Sequence, residues 1–235
     1  GWDALLAALA DRTRTPTGRE GARSLPFLDS VEEVRDRLAL VAEARSLTRM
    51  ELELPVADTP DVRPHLLRAA REGVLEPLAV LEVSRLIRSA TRVRRFVTTR
   101  REQVPQLAHG ASALHEFDPL ASEIERAIEP SGTIRDDASA LLSELRDRAR
   151  GLHRMLKERI ESLLADPAHA EHLQDTYFSV RADRYVLPVK ASFKGKLPGV
   201  VHNASQSGQT LFIEPDALRD RGNQLTIVQS MVEEE

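Results

Sequence analysis

Between residues 138 and 165, apolar side chains recur at spacings that alternate between three and four: Leu142, Leu145, Ala149, Leu152, Leu156 and Leu163, with Arg159 interrupting the series. This period puts them on one stripe of a single helix, roughly 40 Å long at the rise of an α-helix. A helix of that length is expected to carry something away from a globular body. Composition points the same way. The chain is 30% charged and only 4% aromatic, with Leu, Ala, Arg and Glu dominant, which is the mix of long helices rather than of sandwiches or barrels. At 235 residues and 41% hydrophobic content, it can bury one substantial core, or a helical body plus a small second domain.

Upstream of the long seam the chain reads as amphipathic helices separated by breaks near Thr15-Pro16, Leu25-Pro26, residues 55–64, Gly73 and Pro105. Ser30-Val31-Glu32-Glu33 has the form of a capping box, predicting a helix from Ser30 to about Thr48 with Val31, Val34, Leu38 and Val41 as its buried stripe. From Pro77 to about Arg100, Ala79, Val83, Leu86, Ala90, Val93 and Val97 form a continuous apolar seam, and Arg85, Arg88, Arg92 and Arg95 form the opposite face. That basic face is either a solvated surface or a nucleic-acid contact. Asp118-Pro119 predicts a further helix start, with the Asp118 carboxylate as N-cap, and Pro130-Ser131-Gly132 predicts its end.

After Asp166-Pro167 the period changes to two. Residues 176–181 and Arg184–Lys190 are rich in Tyr, Phe and Val and read as strands, followed by 199–202 and 210–214. Pro188 removes a ladder donor, predicting an edge position for its strand. Beyond Pro215, helical spacing returns through Leu218, Leu225 and Val228, and the sequence is expected to stop inside that helix. The fold class is therefore mainly α: a multi-helix core, a long helix, and a small antiparallel β domain.

The sequence has no cysteine, which excludes disulfides, thiolate metal sites and cysteine nucleophiles. No apolar run approaches the roughly 18 residues that span a bilayer, and Gly1-Trp2-Asp3 does not begin a signal peptide. A cytoplasmic protein without a membrane partner is the expectation. A net charge of -4 argues against a uniformly basic nucleic-acid binder, so charge has to be read locally. The lysines are Lys157, Lys190, Lys194 and Lys196, three of the four within one short segment.

That segment also carries a resemblance. Arg184-Tyr185-Val186-Leu187-Pro188-Val189-Lys190, Lys194-Gly195-Lys196, Gly199-Val200-Val201-His202 and Ser205-Gln206-Ser207-Gly208-Gln209-Thr210-Leu211-Phe212-Ile213-Glu214-Pro215 together resemble the clamp signature of the second bacterial MutS branch, the recombination-suppressing MutS-like ATPases. Thr15-Pro16-Thr17-Gly18-Arg19, Asp61-Val62-Arg63-Pro64, Ala69-Ala70-Arg71-Glu72-Gly73-Val74-Leu75 and Ile134-Arg135-Asp136-Asp137-Ala138-Ser139 agree in order and spacing. The resemblance implies a helical core over 1–137, a lever helix and connection over 138–172, a β-rich clamp over 173–214, and the start of a returning lever over 215–235. In the intact family these lead to an ABC-type ATPase, which uses ATP with magnesium and dimerises, and to a nuclease-like Smr domain. No G-x-x-x-x-G-K-[ST] loop occurs here, so no cofactor is expected in this stretch and ATPase and endonuclease activities are expected only of a full-length protein.

The candidate nucleic-acid contacts are Arg181, Arg184, Lys190, Lys194 and Lys196, joined by His202, Asn203, Ser205 and Ser207. The cations would neutralise phosphates without reading sequence; alternatively they solubilise an exposed hairpin. The polar residues would bond phosphate or sugar oxygens, or simply build a turn. Gly195, Gly199 and Gly208 read as backbone necessities. His169, Glu171 and His172 sit at ligand-capable spacing but lack a visible third or fourth ligand, and no catalytic residue or metal site is assigned. Three functions follow: gripping branched or duplex DNA as a homodimer's clamp, binding ribosomal RNA on collided ribosomes, or a dimerisation scaffold without nucleic-acid contact.

Overall fold

The computed structural model describes residues 1–57 and 59–235. The break predicted over 55–64 includes residue 58, which lies outside them. The chain is mainly helical with one small antiparallel sheet, and it divides into two compact units, Gly1–Arg135 and Asp136–Glu235.

The first unit contains α1 (Trp2–Ala10), α2 (Pro16–Arg23), α3 (Val31–Arg49), α4 (Arg63–Ala69), α5 (Pro77–Thr98), α6 (Pro105–Ala111) and α7 (Asp118–Ala127). Proline stands in the first turn of α2, α4, α5, α6 and α7, where its missing N–H leaves nothing unsatisfied. Ser30 caps α3 as predicted, accepting from the Glu33 N–H at 3.0 Å.

The predicted buried stripe of α3 is not buried: Val31 is 60% exposed, Val34 39%, Leu38 62% and Val41 54%. The helix is held at its C-terminal end instead. Leu47 packs with Val97, Val104 and Ala111, and the Glu43 carboxylate accepts from the Gln106 and Leu107 amides at 2.8 and 2.9 Å, satisfying donors that the start of α6 leaves free.

The apolar seam expected on α5 is likewise only half-buried, apart from Val97. The buried face is rotated to Leu81, Ser84, Ile87 and Thr91, because α7 meets it with acceptors for its hydroxyls. Ser84 donates to Glu125 at 2.6 Å and Thr91 to Asp118 at 2.8 Å. Arg88 bridges both carboxylates, at 2.9 Å to Asp118 and 2.7 Å to Glu125. Asp118 therefore does not cap α7 as predicted; its carboxylate is turned to α5, and the N-cap position is Phe117.

In the second unit, α8 (Ala140–Ala165) is N-capped by Ser139, which accepts from Leu142 N–H at 2.9 Å. Leu142, Leu145, Leu152 and Leu156 are buried as the seam requires. Ile160 continues it four residues on, so Arg159 stands beside the stripe rather than interrupting it. A short α9 (Pro167–Ala170) is followed by β1 (Ser179–Arg181), β2 (Arg184–Lys190), β3 (Gly199–Ala204), β4 (Thr210–Pro215) and α10 (Asp216–Glu234). The return helix α10 packs antiparallel on α8: Ser139 at the start of α8 donates to Glu235 at the end of α10 at 2.6 Å. Their shared core contains Leu145, Leu152, Leu156 and Ile160 from α8, Leu218, Leu225 and Val228 from α10, and Leu187, Val189 and Ile213 from the sheet. Each such side chain contributes about 1.5–3 kcal/mol by leaving water.

The sheet order is β1-β2-β4-β3, all neighbours antiparallel. β2 is thus an inner strand, not the edge that Pro188 suggested. The proline is tolerated because β1 pairs only with residues 184–186, and beside Pro188 runs just the local bridge of residues 172–174, in which Gln174 N–H donates to the Pro188 carbonyl at 2.8 Å and Lys190 N–H to the His172 carbonyl at 2.9 Å. The edge strands are β1 and β3, and β3 carries a bulge between Val201 and Asn203.

Asp118 and Glu125 are both held below the ordinary carboxylate range, Asp118 chiefly by the Thr91 hydroxyl with Arg88 assisting, Glu125 chiefly by Arg88 and then Ser84. Because folding depresses these groups, the stability they contribute is complete above the unfolded range near about pH 4 and is lost as pH falls through their lowered native values. The urea midpoint should fall between about pH 5 and about pH 3, and the combined Asp118→Asn and Glu125→Gln variant should show a shallower fall; an identical slope in that variant would remove this pair as the acid-sensitive element.

Candidate nucleic-acid interface

The residues singled out in the second half of the sequence fall at different places on the sheet. Arg184 and Lys190 occupy opposite ends of β2, about 20 Å apart at the rise of a strand. The Lys190 end also holds the 205–209 turn, since Lys190 pairs with Thr210 and the Ala191 N–H donates to the Gln209 carbonyl at 2.8 Å. Arg184 opens β2 directly after a two-residue turn at Ala182 and Asp183, whose φ values are 47° and 59°. Two left-handed residues in succession give the turn whose twist suits a tight hairpin, and neither is glycine.

At the α10 end a carboxylate lies inside the fold. Glu214 has a side chain only 4% exposed, against 18% for Arg184, which approaches it at 3.4 Å. His202 Nε2 meets its other oxygen at 2.7 Å. Gly222 on α10 makes room for this cluster, since a Cβ there would lie 2.6 Å from the Arg184 guanidinium and 2.8 Å from the Glu214 carboxylate. Gly199 permits the neighbouring strands to close, because a Cβ would meet the Glu214 carbonyl at 2.2 Å. Arg184 and His202 are therefore both engaged by Glu214, drawn from β2 and from the bulge of β3.

The other end is more open. Lys190 Nζ donates to the Glu171 carbonyl at 3.0 Å. Lys194 and Lys196 follow a 3-10 turn over Ala191–Phe193, are exposed, and have no side-chain hydrogen bond or ion pair among the described residues. Ser205 builds its turn by accepting from Thr210 N–H at 3.1 Å, with Ser207 Oγ 3.3 Å away. The Asn203 carbonyl oxygen accepts from Ala204 N–H at 2.8 Å. Back at the Arg184 end, where Arg181 pairs with Arg184, Arg181 is exposed, with its guanidinium carbon 4.8 Å from the centre of the Phe212 ring. Burial pushes the Tyr185 phenol up; its oxygen lies 3.1 Å from His153 Nδ1.

Glu214, Gly222 and Phe212 escaped the sequence reading as site-forming residues. The available signal was a carboxylate inside the apolar run Leu211-Phe212-Ile213-Glu214-Pro215, since a charge there needs a buried partner. The histidines considered as metal ligands are placed otherwise: the His169 and His172 ring centres are 6.3 Å apart, and His172 lies 4.9 Å from Phe193. No group of three or more His, Asp or Glu suited to a metal occurs among the described residues. On α5, Arg88 is engaged by α7, while Arg85, Arg92 and Arg95 are exposed. No helix among the described residues is long and apolar enough to cross a membrane.

Replacing Glu214 by Gln leaves Arg184 partly buried without its counter-charge and should cost about 1–3 kcal/mol in urea unfolding. Lys194→Gln and Lys196→Gln should each fall within about 0.5 kcal/mol of the parent. Equal effects at the three positions would remove the structural role given to Glu214.

Comparison with known proteins finds no family model that matches the chain. Curated relatives do match. The chain is 52% identical, over its full length, to an Endonuclease MutS2 of Anaeromyxobacter sp. (strain Fw109-5), of which it spans 29%. It is 39% identical over 92% of its length to the Endonuclease MutS2 of Symbiobacterium thermophilum, spanning 27% of that protein. It is 33% identical over 88% of its length to a Putative endonuclease MutS2 of Bacillus subtilis (strain 168), again spanning 27%. The chain thus spans less than a third of the length of these relatives.

Proposed function

From similarity over 88–100% of its own length to proteins named Endonuclease MutS2, which supports the MutS2 family for this chain, we propose that it is the core, lever and clamp portion of a MutS-like protein. In this reading the sheet-bearing unit grips the backbone of branched or duplex DNA. The observation that carries it is the availability of Lys194 and Lys196, exposed and without side-chain partners among the described residues, on the unit that also presents Arg181. Flexible ammonium groups on a solvated loop neutralise phosphate without distinguishing bases. Arg184 and His202 serve the same grip indirectly, by fixing the strands through Glu214. Lys190, anchored to the Glu171 carbonyl, and the Ser205 and Ser207 hydroxyls line the end of the sheet where the 205–209 turn lies.

In the intact protein, two such clamps would enclose DNA as a homodimer. The α8 and α10 helices would link each clamp to ATPase and endonuclease parts that bind ATP and magnesium. Grip on backbone alone suits a protein that meets junctions of any sequence, because phosphate contacts position a protein but do not specify bases.

The test is a titration of the chain against duplex, four-way junction and single-stranded DNA, and against ribosomal RNA, at several salt concentrations. Affinity should fall steeply with salt, and the double variant Lys194→Glu, Lys196→Glu should lower it at least about tenfold while flattening the log-log salt slope by about 2. Unchanged affinity and slope in that variant would dismiss these lysines as the grip. Preference for the ribosomal RNA over all DNA forms would move the function to ribosomes.

A further inference from the structure

Among the arginines of the second unit, Arg181 combines two properties: its head group lies over an aromatic ring, and it is open to solvent. It ends β1, immediately before the left-handed pair Ala182 and Asp183. That turn demands a conformation unfavourable to alanine, and strain of this kind, kept in a native fold, marks a place where position matters. The guanidinium carbon lies over the Phe212 ring at 4.8 Å from its centre, where the ring's negative face attracts a cation. The side chain is exposed and has no hydrogen bond or ion pair among the described residues.

A second arginine–phenylalanine stack in the chain shows what a purely structural version looks like. Arg100 lies 4.1 Å over Phe96, and its guanidinium also donates to the Phe96 carbonyl at 3.0 Å and to the Thr99 hydroxyl at 3.1 Å. Arg181 has no such bonds. Its guanidinium carbon lies over the Phe212 ring, and its donors have no partner among the described residues. Asn203 pairs with Phe212 across the β3–β4 ladder at the bulge and is exposed; residues paired this way share a face of the sheet. Its side-chain oxygen is taken by Ala204 N–H, and its NH2 donors have no partner among the described residues.

We propose that Arg181, lying over the Phe212 ring, is a stacking platform for an unpaired nucleobase, with the Asn203 amide on the same ladder to meet the base edge. This rests on the nucleic-acid reading above and adds to it a second kind of contact. Lys194 and Lys196 take phosphate, whereas the Arg181–Phe212 stack takes the face of a base that has left its helix, as bases do at branch points and in single strands. Guanidinium planes and aromatic rings accept any base on their faces, so the platform favours unstacked nucleotides without favouring a sequence. A lysine at 181 would keep the charge and lose the plane.

The experiment compares binding of the full 235-residue chain to single-stranded oligothymidine and to an oligonucleotide of equal length made of abasic sites, at low salt. The two carry the same phosphates and differ only in bases. The chain should bind oligothymidine about five- to a hundredfold more tightly. Arg181→Lys should bring oligothymidine down to the abasic level and leave the abasic affinity unchanged, and Phe212→Leu should move oligothymidine in the same direction. Equal affinity of the unmodified chain for both oligonucleotides, or equal loss on both in Arg181→Lys, overturns the platform and leaves the phosphate grip standing. No binding to either overturns the nucleic-acid reading together with the platform.

Discussion

A carboxylate shut away from water has to be matched where it sits, because an unpaired charge in a protein interior costs several kcal/mol. Glu214 is that group in the second unit, 3% exposed and flanked on β4 by Ile213 and Pro215. Its two oxygens are met by Arg184 from β2 and His202 from the bulged strand β3, and Gly222 leaves the space for them on α10. One charge therefore sets how three strands and a helix come together. Since α10 begins at Asp216, two residues after Glu214, the same cluster fixes the start of the helix that packs along α8. Because Arg184 directly follows the tight turn, anchoring it also fixes the orientation of the hairpin that ends β1 at Arg181. The sheet's outward chemistry is positioned from this buried interaction.

Local periodicity made much of the architecture readable. The seam of α8, the capped start of α3 and the four strands depend on neighbours a few residues away, so a period of 3.6 or 2 is enough to find them. What packs against a helix is a different matter. Val31, Val34, Leu38 and Val41 form a correct amphipathic stripe on α3, yet they are exposed here because the helix is held at its far end by Leu47 and Glu43. On α5 the apolar seam gave way to a face containing Ser84 and Thr91, whose burial makes sense only with Glu125 and Asp118, 41 and 27 residues distant. Pro188 suggested an edge strand, but it stands on an inner strand where the neighbour is only the local bridge of residues 172–174. Each departure comes from a long-range partner that no local pattern encodes.

The candidate site shows the same division at the level of single side chains. Residue type alone marked Arg181 and Arg184 as equivalent cations. Three residues apart, they have opposite surroundings: one closes on a buried carboxylate, and the other lies on an aromatic ring with its donors open. The difference originates in Glu214 and Phe212, which stand 30 and 31 positions further along the sequence. A list of basic residues is therefore a poor guide to a phosphate grip until each has been checked for an acid that already holds it.

That check also bears on the range over which such a grip acts. The chain carries a net charge of -4, and in the first unit Arg14, Arg63, Arg88 and Arg94 are all paired with acids. A surface of this kind projects little positive potential, and at physiological salt any field is screened within about 8 Å. Attraction from a distance, the device of strongly basic binders, is weak here. What remains for the proposed interface is contact: mobile ammonium groups that follow phosphates, and a guanidinium placed over an aromatic ring before anything arrives. Preorganisation of the second kind limits the ordering that binding requires. In a chain whose net charge opposes a polyanion, a positioned planar group adds selectivity for unstacked bases that additional lysines would not supply.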